Sequence, residues 1–317
     1  MKEGLNILVT GCGGDIGQSI GKILLKSVYT NNLFGIDISD KNPAQFIYPN
    51  FSIGLPFTHP EYLGSLELFV DINEIDIIIP MSESELRFFS NHNILDKIGK
   101  AKVITASTLA LKVGFDKFKT AVFLEKEKLP FPSTFLASNI KIIDFFPIIL
   151  KSKTGSGSKS IYKINTLEEF LFYTRNDIDD FVVQEYLTDT NGEYTCGLFR
   201  SKQGEIRSII FIRELQPGGH SGYGEVIENK EITNLLEILA VKLDLIGSIN
   251  VQLRIVDNIP MIFEINPRFS STVLYRHFFG FEDLIWSIED NLNYKLSEYV
   301  PNGMGKKFYK GFEEYIK

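Results

Sequence analysis

Three oxygen-bearing side chains, Gln252, Glu264 and Asn266, lie in two segments whose alternation brings them onto one face. In Gly247–Val256 (GSINVQLRIV) the apolar residues Val251, Leu253 and Ile255 share one parity. In Met261–Thr272 (MIFEINPRFSST) Met261, Phe263 and Ile265 do the same. The turn Asp257-Asn258-Ile259, closed by Pro260, joins the two into an antiparallel hairpin. Pairing Val256 with Pro260 sets Gln252 opposite Glu264 and Asn250 opposite Asn266, and a period of two puts all four on one face. Carbonyl and carboxylate oxygens over an apolar back suit Mg²⁺ or Mn²⁺, hard cations that take oxygen ligands. Half-buried antiparallel strands also turn such a face to plain water. On residue types, both readings stand.

A second pattern with chemical meaning is Gly11, Gly14 and Gly17, which follow the apolar run Leu5–Thr10 and open a helix-like stretch. Asp37 ends the next strand about 20 residues on. This resembles the dinucleotide turn of extended short-chain dehydrogenases and epimerases, which would make the chain an NAD-dependent epimerase or reductase. Those enzymes move a proton with a Tyr-x-x-x-Lys pair, and no tyrosine here has a lysine four residues later. The same glycines serve equally for a tight turn and close helix packing. Cys12, inside the turn, has no histidine near it in sequence and reads as a small packed residue.

The chain of 317 residues is 44% hydrophobic and 23% charged, long enough for two domains or one domain with a lid. A net charge of −7 offers no basic surface to a nucleic-acid backbone. Two cysteines make neither a metal spacing nor a disulfide framework, which fits a reducing compartment. The N-terminus lacks the order of a signal peptide, and no apolar run approaches the roughly 20 residues of a spanning helix. A cytoplasmic protein, bound to neither membrane nor nucleic acid, is the expectation.

The elements that must hold these residues read as strand, glycine turn and helix at the start, the opening of a doubly wound sheet. Ile75–Met81 (IDIIIPM) is a buried parallel strand. Glu83 and Glu85 follow at its C-terminal edge, where open α/β sheets place ligand contacts, or else simply open the helix ELRFFSNH. Phe146–Lys151 (FPIILK) is a strand closed by a lysine and followed by SKTGSGSKSIYKI, without the spacing of a Walker loop. Asp180–Leu187 is a further strand, and a hairpin turns across Lys202-Gln203-Gly204. The glycine-rich ELQPGGHSGYGEV has no apolar periodicity and reads as a functional loop. Glu231–Leu245 has helical spacing, Arg276–Asn293 reads as mainly one helix, and residues 294–317 stay unassigned.

Taken in order, Asp116-Lys117, Lys151, the loop Gly155–Gly157, the stretch from Gln184 to Glu193, Gln252, and Glu264-x-Asn266-Pro267-Arg268 resemble the ATP-grasp superfamily. The branch they are most similar to is the carbamoyl phosphate synthetase large-subunit halves. The resemblance covers about residues 7–293, the first domain only in general pattern. It implies an α/β protein with a Rossmann-like pre-ATP-grasp domain at 1–113, a mobile lid at 114–188 and a mixed-sheet catalytic part at 189–317. By the same resemblance, Lys117 and Lys151 reach the phosphates of ATP, under the backbone of Gly155, Ser156, Gly157 and Ser158. Gln184, Glu185, Tyr186 and Leu187 meet adenine, and Glu193 meets ribose. Gln252, Glu264 and Asn266 hold Mg²⁺, and Arg268 and Lys151 act in phosphoryl transfer. Glu83, Arg213, His220 and Tyr223 face the acceptor. The implied reaction joins a small-molecule carboxylate to an amine or other nucleophile through an acyl phosphate, releasing ADP and phosphate, in a monomer or homodimer. Activation of bicarbonate or carbamate is the variant that the carbamoyl phosphate synthetases imply.

Overall fold

The computed structural model describes residues 4–140, 143, 145–155, 161–188, 192–216, 221–311 and 313–316. Three sheets follow one another along the chain. The first is six-stranded: β1 (Leu5–Thr10), β2 (Thr30–Asp37), β3 (Asn50–Ile53), β4 (Ile77–Pro80), β5 (Lys97–Ile98) and β6 (Ala101–Val103), in the order β3-β2-β1-β4-β6-β5. Strand β1 runs parallel to both β2 and β4, so the chain leaves it in one direction and returns on its other side. Ile7, Leu8 and Val9 of β1 and Ile77, Ile78 and Ile79 of β4 are wholly buried, as strands covered on both faces must be. The crevice beyond β1 and β4 is the switch point of this sheet. Gly11 occupies it with φ +62°, where a Cβ would come within 3.2 Å of Ser82 N. A side chain there would wedge the two loops apart.

The second sheet holds β7 (Thr134–Leu136), β8 (Ile148–Ser152), β9 (Ile161–Ile164) and β10 (Phe181–Glu185) in the order β7-β10-β8-β9. It closes on its own small core of Ala137, Ile148, Leu150, Ile164, Phe170 and Val183. The preceding helix, Lys117–Lys126, instead lends Leu124 to the large core beneath the third sheet.

That third sheet comprises β11 (Glu193–Arg200), β12 (Ile206–Leu215), β13 (Ser221–Ile227), β14 (Gly247–Val256), β15 (Ile259–Asn266) and β16 (Lys307–Tyr309), ordered β15-β14-β11-β12-β13-β16. Much of the stretch read from sequence as a loop is therefore strand: β12 runs on to Leu215, and β13 begins at Ser221. Its glycines fit because neighbours fill their places. A Cβ on Gly224 would lie 2.4 Å from the Phe308 ring, which comes from the otherwise unassigned tail.

The helix Lys230–Lys242 packs on this sheet through Leu235, Leu236 and Leu239, and its Asn229 cap accepts from Ile232 N. The single helix expected over Arg276–Asn293 is two, Val273–Phe278 and Asp283–Asn291, broken at Gly280 with φ +84°. Val273, Leu284 and Ile288 share a core with Ile7, Val9 and Ile20 of the first sheet's layer. The end of the chain thus packs against its beginning. Among the described residues no helix is long and apolar enough to cross a membrane.

Candidate active site

A cleft of about 1480 Å³ lies where the three sheets face one another. The hairpin β14–β15 forms one wall, with Gln252 paired to Glu264 and Asn250 to Asn266, as the alternation required. The route to that register differs from the sequence reading. The turn contains two residues only, Asp257 and Asn258, both at positive φ, and Val256 pairs with Ile259. A bulge opposite Gln252 and Leu253 then restores the register, with Phe263 as the extra residue. Ile262 is therefore the core residue, while Phe263 turns into the cleft.

The bulge has a consequence for Lys151. A bulged residue leaves the hydrogen-bonding ladder, and the Phe263 carbonyl accepts from Lys151 Nζ at 3.2 Å. The same ammonium donates to Gln184 Oε1 at 2.8 Å, and Gln184 Nε2 donates to Thr134 Oγ1 at 2.9 Å. Lys151 is only 4% exposed, and burial pushes its amine down to about 8, with Glu264 acting against that shift and Lys117 adding to it. Gln184 is buried, and its amide is committed at both ends, the oxygen to Lys151 and the nitrogen to Thr134. The Glu185 N–H goes to Ser133 O, and its carboxylate accepts from Ser133 N. Tyr186 and Leu187 line the cleft, and Lys163 Nζ lies 4.2 Å above the Tyr186 ring.

Lys117 opens its helix behind Asp116, whose carboxylate caps Phe118 N and Lys119 N. Its Nζ donates to Gly155 O at 2.8 Å and stands 3.8 Å from Glu264 Oε1. Among the described residues nothing hydrogen-bonds the side chains of Gln252 or Asn266. Asn250 faces the same cleft, but its Oδ1 accepts from Thr195 Oγ1 and Arg276 Nη2, in a buried network anchored by Asp283. Arg268 is partly buried and donates to Phe269 O, with Glu83 and Glu264 holding up a guanidinium that burial pulls down.

Glu193 is gripped by two arginines. Oε1 accepts from Arg213 Nη2 at 2.6 Å, and Oε2 from Arg254 Nη2 at 3.1 Å. Arg213 is thus inside the cleft but turned to Glu193 and Ser221 rather than free. Glu83 lines the cleft and pairs with Arg87 at 2.7 Å. Tyr223 is not among the lining residues; it packs on Tyr309 of β16. Its place on β13, which pairs with the tail, turns it there. Ser156, Gly157, Ser158 and His220 lie outside the described residues.

Sequence reasoning missed Arg254 and Tyr62, the partner of Glu85. Arg254 had a signal, since it follows Gln252 by two on the polar parity. Tyr62 had none, because its contact with Glu85 depends on how a helix from one loop meets the end of β4. Glu85 is buried, accepts from Thr10 Oγ1 at 2.5 Å and from the Tyr62 hydroxyl, and has its carboxyl raised by burial. In the glycine turn, Asp37 accepts from Gly13 N at 2.8 Å. Cys12 is wholly buried and its thiol is pushed up to about 12.

Residues 115–272 match the family described as the ATP-grasp domain. No curated protein matches the chain. Among solved structures it resembles the ADP complex of PurK, N5-carboxyaminoimidazole ribonucleotide synthetase, with a TM-score of 0.73 at 16% identity, over 95% of this chain and 80% of that one. It also resembles the biotin carboxylase ATP-analogue complex of Campylobacter jejuni (TM-score 0.72, 15% identity, 96% and 75% covered). A third is the Aspergillus clavatus N5-carboxyaminoimidazole synthase in complex with ADP and 5-aminoimidazole ribonucleotide (TM-score 0.70, 16% identity, 94% and 79% covered). Identities this low speak for the fold. Together with the family match and the order of the motifs along β8, β10, β14 and β15, they identify residues 115–272 as an ATP-grasp domain in a chain of the ATP-grasp fold.

Proposed function

We propose that the protein is an ATP- and Mg²⁺-dependent ligase that activates a carboxylate as an acyl phosphate and joins it to an amine. The observation that carries this is the meeting of Lys117, Lys151 and Glu264, from a helix, a strand of the second sheet and the hairpin, around one cleft. Phosphoryl transfer asks a protein for placement and charge rather than a nucleophile, and the site offers both. Lys117 and Lys151 would take phosphate oxygens, and Arg268 would meet charge gathering on the transferred group. The substrate carboxylate attacks the γ-phosphorus and ADP leaves. The amine then attacks the acyl carbon, phosphate leaves, and the nitrogen gives up a proton.

The donor set fits a hard divalent cation: the Glu264 carboxylate, with only a lysine at 3.8 Å, beside two amides whose oxygens have no donor among the described residues. Gln252, Glu264 and Asn266 would hold it, and when bound it neutralises phosphate charge. Glu193, with Oε1 taken twice by Arg213, would meet ribose through Oε2 beside Arg254.

The test is ADP formation against a panel of carboxylic acids and amines. ADP with phosphate is expected, and AMP with pyrophosphate rejects the reading. Glu264→Gln should raise the Mg²⁺ concentration for half-maximal rate at least about tenfold while the protein stays folded. The names of the structural neighbours favour a second reading, in which the activated carboxylate is bicarbonate. Bicarbonate-dependent ADP release without any organic acid would single it out.

A further inference from the structure

The two walls of the cleft differ in chemistry. Its lysines and arginines, Lys117, Lys151, Arg213, Arg254 and Arg268, all come from chain beyond the first sheet. Among the described residues, the wall built by the first sheet and its loops carries neither. Its charged groups are Asp15, Asp37, Glu83 and Glu85. Beside them runs an apolar strip that includes Ile38, Ile53, Leu55, Phe57 and Phe69, with Ile38 and Ile53 left 67% and 62% exposed.

The four acids are not equivalent. Asp15 pairs with Lys310, and Glu83 with Arg87. Asp37 and Glu85 meet only uncharged donors: Gly13 N and Ser39 N on the first, Thr10 Oγ1 and the Tyr62 hydroxyl on the second. A glycine turn at a helix start commonly offers its N–H groups to a phosphate. Here the Gly13 N–H is already donated to Asp37, and Asp15 stands in the first turn of the helix Asp15–Leu24. A phosphate placed there would find a donor taken and two carboxylates facing it.

We infer that the acceptor seated on this wall is an unphosphorylated amine, cationic in solution and carrying an apolar body, and not a sugar phosphate or nucleotide. The inference rests on the ligase reading, which makes this wall the acceptor's place. The ammonium group faces Asp37 and Glu85, and the alkyl or aryl body lies along Ile38, Ile53 and Phe57. An apolar strip left open to water beside two acidic side chains that no lysine or arginine pairs with is the complement of such a molecule.

Calorimetric titration of the full chain, saturated with Mg²⁺ and a non-hydrolysable ATP analogue, tests it with three probes. These are phenethylamine, its uncharged counterpart 2-phenylethanol, and ribose 5-phosphate. Phenethylamine is expected to bind at least tenfold more tightly than either of the others. Asp37→Asn and Glu85→Gln are each expected to weaken it several-fold while leaving the nucleotide analogue's affinity unchanged. Ribose 5-phosphate binding as well as the amine, or no binding of the amine, overturns the inference with no variant needed. So does an amine affinity indifferent to both substitutions. Titration of the analogue alone is read separately. If that fails, the ligase reading falls, and the amine titration is then judged on the free protein.

Discussion

Lys151 shows most directly how one residue's surroundings become a measurable property. Burial lowers its amine from the ordinary 10.5 to about 8. Between those values the unfolded chain holds a proton that the folded chain has lost, so stability rises with pH across that window. At about 1.4 kcal/mol for each pH unit crossed, the rise amounts to roughly 3 kcal/mol. Lys151→Met should remove it, so urea titrations at pH 7, 9 and 10.5 should give the wild type a more positive slope than the variant, while groups such as the buried Cys12 and Cys196 thiols pull both down alike at the high end. The offset between the two also contains the cost of orphaning Gln184 Oε1 and Phe263 O, about 1–3 kcal/mol each, so the slope is the diagnostic. The same variant should lose ADP formation by at least about a hundredfold. An equal pH slope in both proteins would refute the buried, partly discharged amine.

At the scale of elements, the hairpin β14–β15 combines a tight turn with one bulge, and each has its own energetics. Asp257 and Asn258 take φ of 49° and 65°, a region that costs an ordinary L-residue about 1–2 kcal/mol and asparagine less. Asn258→Gly is expected to stabilise the protein by up to about 1 kcal/mol, read as a shift in the urea midpoint at constant m. Destabilisation would mean the turn is of another type. Behind the hairpin, Arg276 and Asp283 are 0% and 1% exposed and 3.2 Å apart, and Arg276 also donates to Asn250. Arg276→Ala leaves a buried carboxylate without its partner and should cost about 3–5 kcal/mol. Arg276→Leu combined with Asp283→Leu should recover much of that, since an apolar pair of similar size has no charge to desolvate. A double variant no better than the single would show that the pair is not coupled.

For the whole molecule, the cleft is a property of the assembly of three sheets. The second sheet has a core of its own, and Lys151 with Phe263 O and Lys117 with Gly155 O are among the contacts that join it to the rest. A ligand bridging these walls binds the folded chain alone. Mg²⁺ with a non-hydrolysable ATP analogue at about 100 times its dissociation constant should therefore add about 2.7 kcal/mol of stability. A chelator should remove most of it. Hydrogen exchange should slow in β8 and β10 on binding, because closure holds that sheet against the hairpin. Protection confined to the first sheet would place the nucleotide elsewhere.

Local alternation and side-chain chemistry settled much in advance. The face shared by Gln252, Glu264 and Asn266 follows from a period of two. The buried strands β1 and β4 were legible as near-continuous apolar runs. What alternation could not carry was the bulge at Phe263, because one extra residue in a strand leaves no mark on composition and reverses which side chain faces the core. Nor could it foresee the partners of Gln184, Glu193 and Asn250. A buried amide or carboxylate must satisfy its hydrogen bonds with whatever the fold brings near, and those neighbours lie tens of residues away in sequence. The identity of each chemical group was written in the chain, whereas its availability was decided by long-range packing.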